Sequence, residues 1–304
     1  MKKVVAIVGP TAVGKSALGL KLAKEFDGEI ISGDSMQIYR GLDIGTAKDS
    51  KAELTEVPHH LVDICNVEER YTVKDFQKHA IKSLDEISSR SKVPFIVGGT
   101  GFYLNSLLRN LDLGGDSDTT PELRSKLLEL EKSNGIDGLK KRLVSEDPES
   151  VKTIDMNNPR RLIRAIEVFE TTGKSIVQQE NGSEIAEFLL IGLTDDRQTL
   201  YNRINDRVDK MVELGLINEA RTVFEQRSVI PQAKNGIGYK ELFPYFEKQV
   251  SLDDSLTEIK KNSRHFAKRQ LTYFRNQMDV NWYNITADKD YLEKINKKVS
   301  DFLR

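Results

Sequence analysis

Residues Gly9, Pro10, Thr11, Ala12, Val13, Gly14, Lys15 and Ser16 spell G-x-x-x-x-G-K-[ST], and they follow the apolar run Val4 to Val8 without a gap. Glycines at the two ends let the backbone fold so that its N–H groups converge on phosphate oxygens. Lys15 adds a point charge, and the Ser16 hydroxyl can reach a Mg2+ held by the same phosphates. Leu18, Leu22 and Phe26 then recur every four residues, the buried stripe of a helix whose positive end points at the anion. Strand, loop and helix in this order are expected to bind a phosphorylated ligand. Gly173-Lys174-Ser175 repeats the last three letters, but Val168 stands where the first glycine belongs, so this copy reads as a helix end and loop.

A second apolar run ends in Ile30-Ile31-Ser32-Gly33-Asp34-Ser35-Met36-Gln37-Ile38-Tyr39. In a parallel sheet the carboxyl ends of the strands share one edge, so Asp34 arrives beside the phosphate loop. An acid there can act as a base, as a Mg2+ ligand through water, or as a loop cap. The run Val93 to Val97 holds the place of the strand that ends in an aspartate in nucleotide hydrolases, yet it continues into Gly98-Gly99-Thr100-Gly101. That counts against an ordinary ATPase or GTPase, whose metal and water are held by such an acid. The glycines permit close approach of a ligand, and Thr100 is the one side-chain hydroxyl of the turn. His59 and His60 are adjacent, point apart and have no third ligand at a recognisable spacing, so no metal role is expected of them.

These residues need elements to carry them. Short β-rich runs occur at 4–8, 29–32, 93–97, 188–193 and 280–285, separated mostly by helical patterns, which predicts an α/β fold with a parallel sheet flanked by helices. Between about Asp112 and Asn181 the pattern is helical, at 121–130, 136–144 and 159–169, and is read as a mainly α-helical insertion. The expected organisation is a first part of the core at 1–112, the insertion at 113–183 and the rest of the core, with basic C-terminal helices, at 184–304. Asn158-Pro159 reads as a helix start, a capping side chain followed by proline in the first turn. On that helix Leu162, Ile166 and Phe169 share one face, while Arg160, Arg161 and Arg164 crowd another. A helix over 199–214, with Gly215 as its C-cap, buries Ile204, Val208 and Met211 and carries Arg203, Arg207 and Lys210 opposite. The stretch 256–277 sets Lys260, Lys261, Arg264, Lys268, Arg269 and Arg275 against a single acid, Glu258, with Phe266, Tyr273 and Phe274 interleaved. It reads either as a solvated helix face or as a phosphate-backbone contact surface.

Composition sets outer limits. A chain of 304 residues, 38% hydrophobic and 31% charged, can bury a real core, and its net charge of -1 gives no global attraction to nucleic acid, so any such contact must come from local patches. One cysteine, Cys65, allows no internal disulfide and fits a reducing compartment, with the cytoplasm as the default. Lys2 and Lys3 precede an apolar run too short for a signal peptide or a membrane span.

Taken together, several blocks give the chain a family resemblance. GPTAVGKS at 9–16, GDSMQIYRGLDIGTAK at 33–48, PHHLVDI at 58–64, VGGTGFYL at 97–104, NPRRLIRAIEV at 158–168, GIGYKE at 236–241 and KRQLTYFR at 268–275 make it resemble the bacterial tRNA dimethylallyltransferases, or isopentenyl-tRNA transferases, nearly from end to end. The resemblance implies transfer of a dimethylallyl group from its diphosphate to the exocyclic amine of the adenosine on the 3′ side of the anticodon. The phosphate loop, residues 9–16, would hold the diphosphate, not necessarily ATP, with Mg2+ at Ser16. The absent strand-end acid is then understandable, because no water has to be aimed at a γ-phosphate.

An adenine amine is a feeble nucleophile, and a carboxylate is too weak a base to deprotonate it beforehand. Asp34 would instead orient the amine and take its proton as the carbon–nitrogen bond forms. Lys15 and Arg207 would stabilise the growing charge on the diphosphate, Arg207 being chosen from the family pattern R-I-x-x-R with Arg203 as the fallback. Thr11 and Thr100 would line the donor and base pockets. The target base must leave its stack, so contacts to the anticodon stem-loop have to offset a few kcal/mol. By the resemblance these come from Asp34, Ser35, Met36, Gln37, Thr100, Arg124, Pro159, Arg160, Arg161, Arg164, Lys268, Arg269 and Arg275. No membrane and no obligate protein partner is implied. Three other readings stay open on the sequence: a small-molecule or nucleotide kinase, a prenyltransferase acting on free adenine nucleotides, and a non-catalytic RNA-binding or nucleotide-switch protein.

Overall fold

The computed structural model describes residues 1–113, 121–178 and 182–304. Val4, Val5, Ala6, Ile7 and Val8 are completely buried in β1 (Lys3–Val8), as expected of a strand covered on both faces. With β2 (Gly28–Ser32), β3 (His59–His60), β4 (Val93–Val97), β5 (Glu187–Thr194) and β6 (Asn281–Asn284) it forms a six-stranded sheet in the order β3-β2-β4-β1-β5-β6. Every pairing is parallel. The predicted runs all reappear as strands. His59 and His60 add a strand the sequence pattern did not suggest, since two residues carry no periodicity and are held by pairing with Ile30 and Ile31.

The strand order matters for chemistry. Because β4 lies between β2 and β1, the turn after β4 is flanked by the loop after β2, which carries Asp34, and by the phosphate loop after β1. Helices α1 (Lys15–Glu25), α2 (Lys51–Glu56), α3 (Val73–Ser89) and α4 (Gly101–Leu108) follow the first strands. On one face of the sheet Val4, Ala6 and Val8 share a cluster with Phe76, Ala80, Leu84 and Ile87 of α3. On the other, Val5 and Ile7 pack with Leu18 and Leu22 of α1. The alternation along β1 thus decides which helix each residue meets.

Residues Met1–Leu108 and Glu184–Arg304 make one compact unit and Arg109–Ser183 a second. The second unit contains α5 (Pro121–Glu146), broken where Gly135 takes φ 64°, and α6 (Pro159–Thr172). It has a small core of its own, built on Leu127, Leu139, Leu143, Leu162, Ile163, Ala165 and Ile166. The expected helix start at Asn158 is in place with Pro159 in the first turn, but the Asn158 side chain makes no cap hydrogen bond; its backbone carbonyl accepts the N–H groups of Arg161 and Leu162 instead. Gly173 ends α6 at φ 68°, so the second GKS is a helix end, as its context predicted. The expected upper limit of the insertion at Asn181 lies outside the described residues, as does its stretch 114–120.

The rest of the first unit adds α7 (Arg197–Glu213), α8 (Leu216–Glu225), α9 (Phe243–Phe246), α10 (Leu252–Gln277) and α11 (Tyr291–Leu303). Ile204, Val208 and Met211 are buried on α7, as predicted. Gly215, expected to cap that helix, sits one residue further on, at φ 105°, as the N-cap of α8; Leu214 is the C-cap of α7. The left-handed glycine lets one helix turn directly into the next. Among the described residues no helix is long and apolar enough to cross a membrane.

Candidate active site

Gly9 takes φ 144°, and a Cβ there would lie 2.5 Å from the Leu193 carbonyl oxygen, so the phosphate loop can pass β5 only as glycine. Gly14 at φ 96° then opens α1, and Ala12 is held at φ 64° between them. Lys15 folds back so that its Nζ donates to the Pro10 carbonyl at 2.7 Å. Burial first, and then the neighbouring Arg207 guanidinium, push its ammonium down to about 7, against the opposing pull of Asp34. Burial lowers Arg207 as well, although Asp34 and Asp49 favour its charge. Two desolvated cations side by side make a site that an anion stabilises, since its charge offsets their burial and their mutual repulsion.

The phosphate loop opens into two connected spaces. A pocket of about 140 Å3 is lined by Thr11, Ala12, Gly14, Lys15, Ser16 and Gly98 among others. A cavity of about 380 Å3 adjoins it and shares Thr11, Ala12, Asp34, Thr46, Arg207 and Phe266 with it. The cavity has a polar side at Asp34, Ser35 and Thr100 and an apolar side at Ile204, Val208, Met211 and Ile259. A ligand with a charged head and a short hydrocarbon therefore fits the pair.

Asp34 sits in a tight turn, with one carboxylate oxygen accepting the Met36 N–H at 2.8 Å, so it is a loop cap and a cavity wall at once. Thr100 Oγ1 accepts the Ser35 N–H at 3.1 Å. Gln37 accepts from the Ser32 hydroxyl at 3.0 Å and donates to the carbonyls of Thr46 and Ala47. The two arginine choices separate. Arg203 pairs at 3.2 Å with Asp195, whose side chain is fully buried, while Arg207 lines both the pocket and the cavity.

Ser16 and Asp49 were not linked by the sequence, yet they are neighbours: burial raises the Asp49 carboxyl above the ordinary aspartate range, against the opposing pull of His59 and then of the Ser16 hydroxyl. This oxygen pair beside the phosphate loop fits a hard cation such as Mg2+. Among the described residues no group of three or more His, Cys, Asp or Glu could hold a metal by itself. His60 Nε2 meets Glu29 at 2.7 Å, while His59 Nδ1 donates to the Val57 carbonyl at 2.7 Å and its Nε2 lies 3.6 Å from Asp49.

The remaining predicted residues fall on surfaces. Lys268, Arg269 and Arg275 are exposed on α10, Arg275 over the Trp282 ring at 5.5 Å and Arg269 also lining the larger cavity. In the second unit Arg160 and Arg161 are exposed beside Pro159 at the start of α6. There the buried Glu167 receives Arg124 at 3.0 Å, and Arg164 donates to the Leu113 carbonyl at 2.7 Å.

The sequence reading passed over two polar residues that organise the site. Glu219 accepts the N–H groups of Asp43, Ile44 and Gly45, each at 2.9 Å, and the Tyr239 hydroxyl at 2.7 Å, fixing the loop that supplies Thr46 to the cavity. Gln270 lies in α10 between Ala267 and Phe274 on the buried face. An uncharged polar residue on an apolar stripe was the available signal.

A parallel sheet whose first strand ends in a phosphate loop, with a carboxylate and a hydroxyl across a mixed polar and apolar cavity, defines an enzyme of the group-transfer class. Residues 37–277 match the family model described as IPP transferase, and the chain belongs to that family. It is 50% identical to the tRNA dimethylallyltransferase of Limosilactobacillus reuteri over 306 residues, covering all of both chains. It is also similar to the crystal structure of the tRNA isopentenylpyrophosphate transferase of Bacillus halodurans, at TM-score 0.75 and 42% identity, covering 100% of this chain and 97% of that one. A eukaryotic dimethylallyltransferase captured acting on tRNA superimposes at TM-score 0.83 and 29% identity, over 100% of this chain and 80% of that one.

Proposed function

We infer that this enzyme transfers a dimethylallyl group from dimethylallyl diphosphate to the exocyclic amine of the adenosine 3′-adjacent to the anticodon of tRNA, releasing diphosphate. The observation that carries the reading is the cavity joining the phosphate loop to the Asp34–Thr100 side, in a chain of the IPP transferase family. The diphosphate is held by the backbone N–H groups of residues 12–16, since Pro10 has none and that of Thr11 is taken by Gln270, with Lys15 on one side and Arg207 on the other. The hydrocarbon lies toward Ile204, Val208 and Met211. Asp34 and Thr100 hold the amine in place. As the allylic carbon–oxygen bond breaks and the carbon–nitrogen bond forms, Asp34 takes the proton that the nitrogen loses, and the charge released onto the diphosphate meets Lys15 and Arg207.

Mg2+ fits this assignment. Ser16, with Asp49 beside it, would hold the ion, which supplies charge neutralisation at the leaving diphosphate. The anticodon stem-loop is the macromolecular partner, and Arg160 and Arg161 of α6 and Lys268, Arg269 and Arg275 of α10 supply cations for its phosphates. The enzyme works in the cytoplasm, where its RNA substrate resides.

Transfer of label from radioactive dimethylallyl diphosphate to unmodified tRNA in the presence of Mg2+, with AMP as a competing acceptor, tests the reading. Label on tRNA adenosine supports it. Label on AMP assigns the chain to nucleotide prenylation, and phosphate transfer from ATP to an acceptor assigns it to the kinases.

A further inference from the structure

Gln270 is a buried side chain, 6% exposed, on a helix whose outer face is basic. Its Oε1 accepts the Thr11 N–H at 2.8 Å, and its Nε2 donates to the Gly99 carbonyl at 2.9 Å. One partner can only donate and the other can only accept, so the amide has a single satisfactory orientation. The side chain thus bridges the phosphate loop after β1 and the glycine turn after β4. The next residue of that turn is Thr100, whose Oγ1 accepts the Ser35 N–H at 3.1 Å, and Ser35 is covalently joined to Asp34. The linkage therefore runs from the loop that takes the diphosphate to the carboxylate that takes the proton.

The glycines of the turn are shaped to receive α10. A Cβ on Gly99 would lie 2.1 Å from Gln270 Nε2, and one on Gly101 would lie 2.3 Å from the Tyr273 ring. Gly98 is pressed against the Gly33 backbone, where a Cβ would come within 2.4 Å. A strand end that carries an aspartate in nucleotide hydrolases is here a seat for a helix. Its sequence answers to contact on both sides, from α10 and from the Asp34 loop.

We propose that Gln270 is a positioning residue for the transfer, setting the phosphate loop against the Thr100–Asp34 side so that the leaving diphosphate and the attacking amine are in line. The proposal rests on the transferase reading above. Gln270 borders the phosphate pocket, but both its polar atoms are engaged by Thr11 and Gly99, so it acts through Thr11 and through the turn that bears Thr100. Misplacement of reacting groups by about 1 Å costs on the order of 100-fold in rate, so a modest relaxation of this bridge is visible in kcat.

The test uses the full-length enzyme with Gln270→Met, which keeps the volume and removes both hydrogen bonds. Gln270→Glu accompanies it, keeping the bond to Thr11 but setting a carboxylate against the Gly99 carbonyl. In both, kcat for tRNA prenylation is expected to fall about 10- to 100-fold with an unchanged KM for tRNA, since the outer face of α10 is intact. Combination with Thr100→Ala is expected to be non-additive, the double variant losing little beyond Thr100→Ala alone, because the bridge acts through that turn. Independent, multiplying losses overturn the proposal, as does a wild-type kcat in either variant. Gln270→Glu carries the test if Gln270→Met does not fold. The wild-type enzyme in the same assay keeps the two questions apart. Absence of transfer to tRNA by wild type refutes the transferase reading, whereas active wild type with equally active Gln270 variants refutes only the positioning role.

Discussion

Asp34 spends one carboxylate oxygen on the Met36 N–H while the residue lines both the phosphate pocket and the larger cavity. Removing it should therefore strike chemistry harder than donor binding. Asp34→Ala is expected to lower kcat by about 10²- to 10⁴-fold while the dissociation constant for dimethylallyl diphosphate stays within a few fold, as titration calorimetry would read. The two arginines of α7 give a sharper comparison. Arg207 stands by Lys15, and its replacement by alanine should cost about 10²- to 10³-fold in kcat, the loss typical of one charge-stabilising group. Arg203 answers to the buried Asp195, so Arg203→Ala should appear as a loss of about 1–3 kcal/mol in urea unfolding with kcat nearly intact. The reverse pattern would exchange their roles.

Whole elements are held by single carboxylates. Glu219, from α8, collects three backbone N–H groups and the Tyr239 hydroxyl, and neither oxygen can be exchanged for an amide without turning a donor toward donors. Glu219→Gln is expected to destabilise the protein by about 2 kcal/mol, and hydrogen exchange should speed up first at residues 43–45. Glu29 does similar work at the sheet edge. Burial alone would raise its pKa, but hydrogen bonds from Arg90 and His60 outweigh that and hold it below the ordinary glutamate range. A depressed folded-state value means that this stability is fully present above the unfolded value of about 4.3 and is lost as pH falls through the lower folded one. Glu29→Gln should be less stable than wild type near neutrality, with the gap closing as pH is taken below about 4 in equilibrium denaturation.

For the molecule as a whole, formal net charge is -1, so attraction to RNA has to be local. The exposed Arg160 of the second unit and Lys268 of the first are assigned to RNA phosphates. Arg160→Ala and Lys268→Ala should each weaken tRNA binding and reduce the slope of log K against log salt by just under 1, with donor affinity unchanged. Fluorescence binding at several salt concentrations reads this directly, and unchanged slopes in both variants would remove these residues from the interface. The second unit has its own apolar core around Leu127 and Leu162, so Arg160→Ala is not expected to alter the sheet.

The phosphate loop, the strand runs, the helix of residues 159–172 and the buried stripe Ile204, Val208 and Met211 were all legible in the sequence, because each is encoded by local spacing or periodicity. The acid at Asp34 was legible for the same reason, as the end of an apolar run. Between Arg207 and Arg203, which only the family pattern had ranked, the tertiary structure decided: one turn of helix separates them, and Arg203 meets the buried Asp195 while Arg207 lines the pocket. It also decided the partnership of Ser16 with Asp49, of Glu219 with residues 43–45, and of Gln270 with Thr11 and Gly99. These residues join segments that lie far apart along the chain, and a hydrogen bond of that kind leaves no period in the sequence. Local pattern fixes elements and turns; the order in which strands lie side by side fixes which distant polar groups can meet.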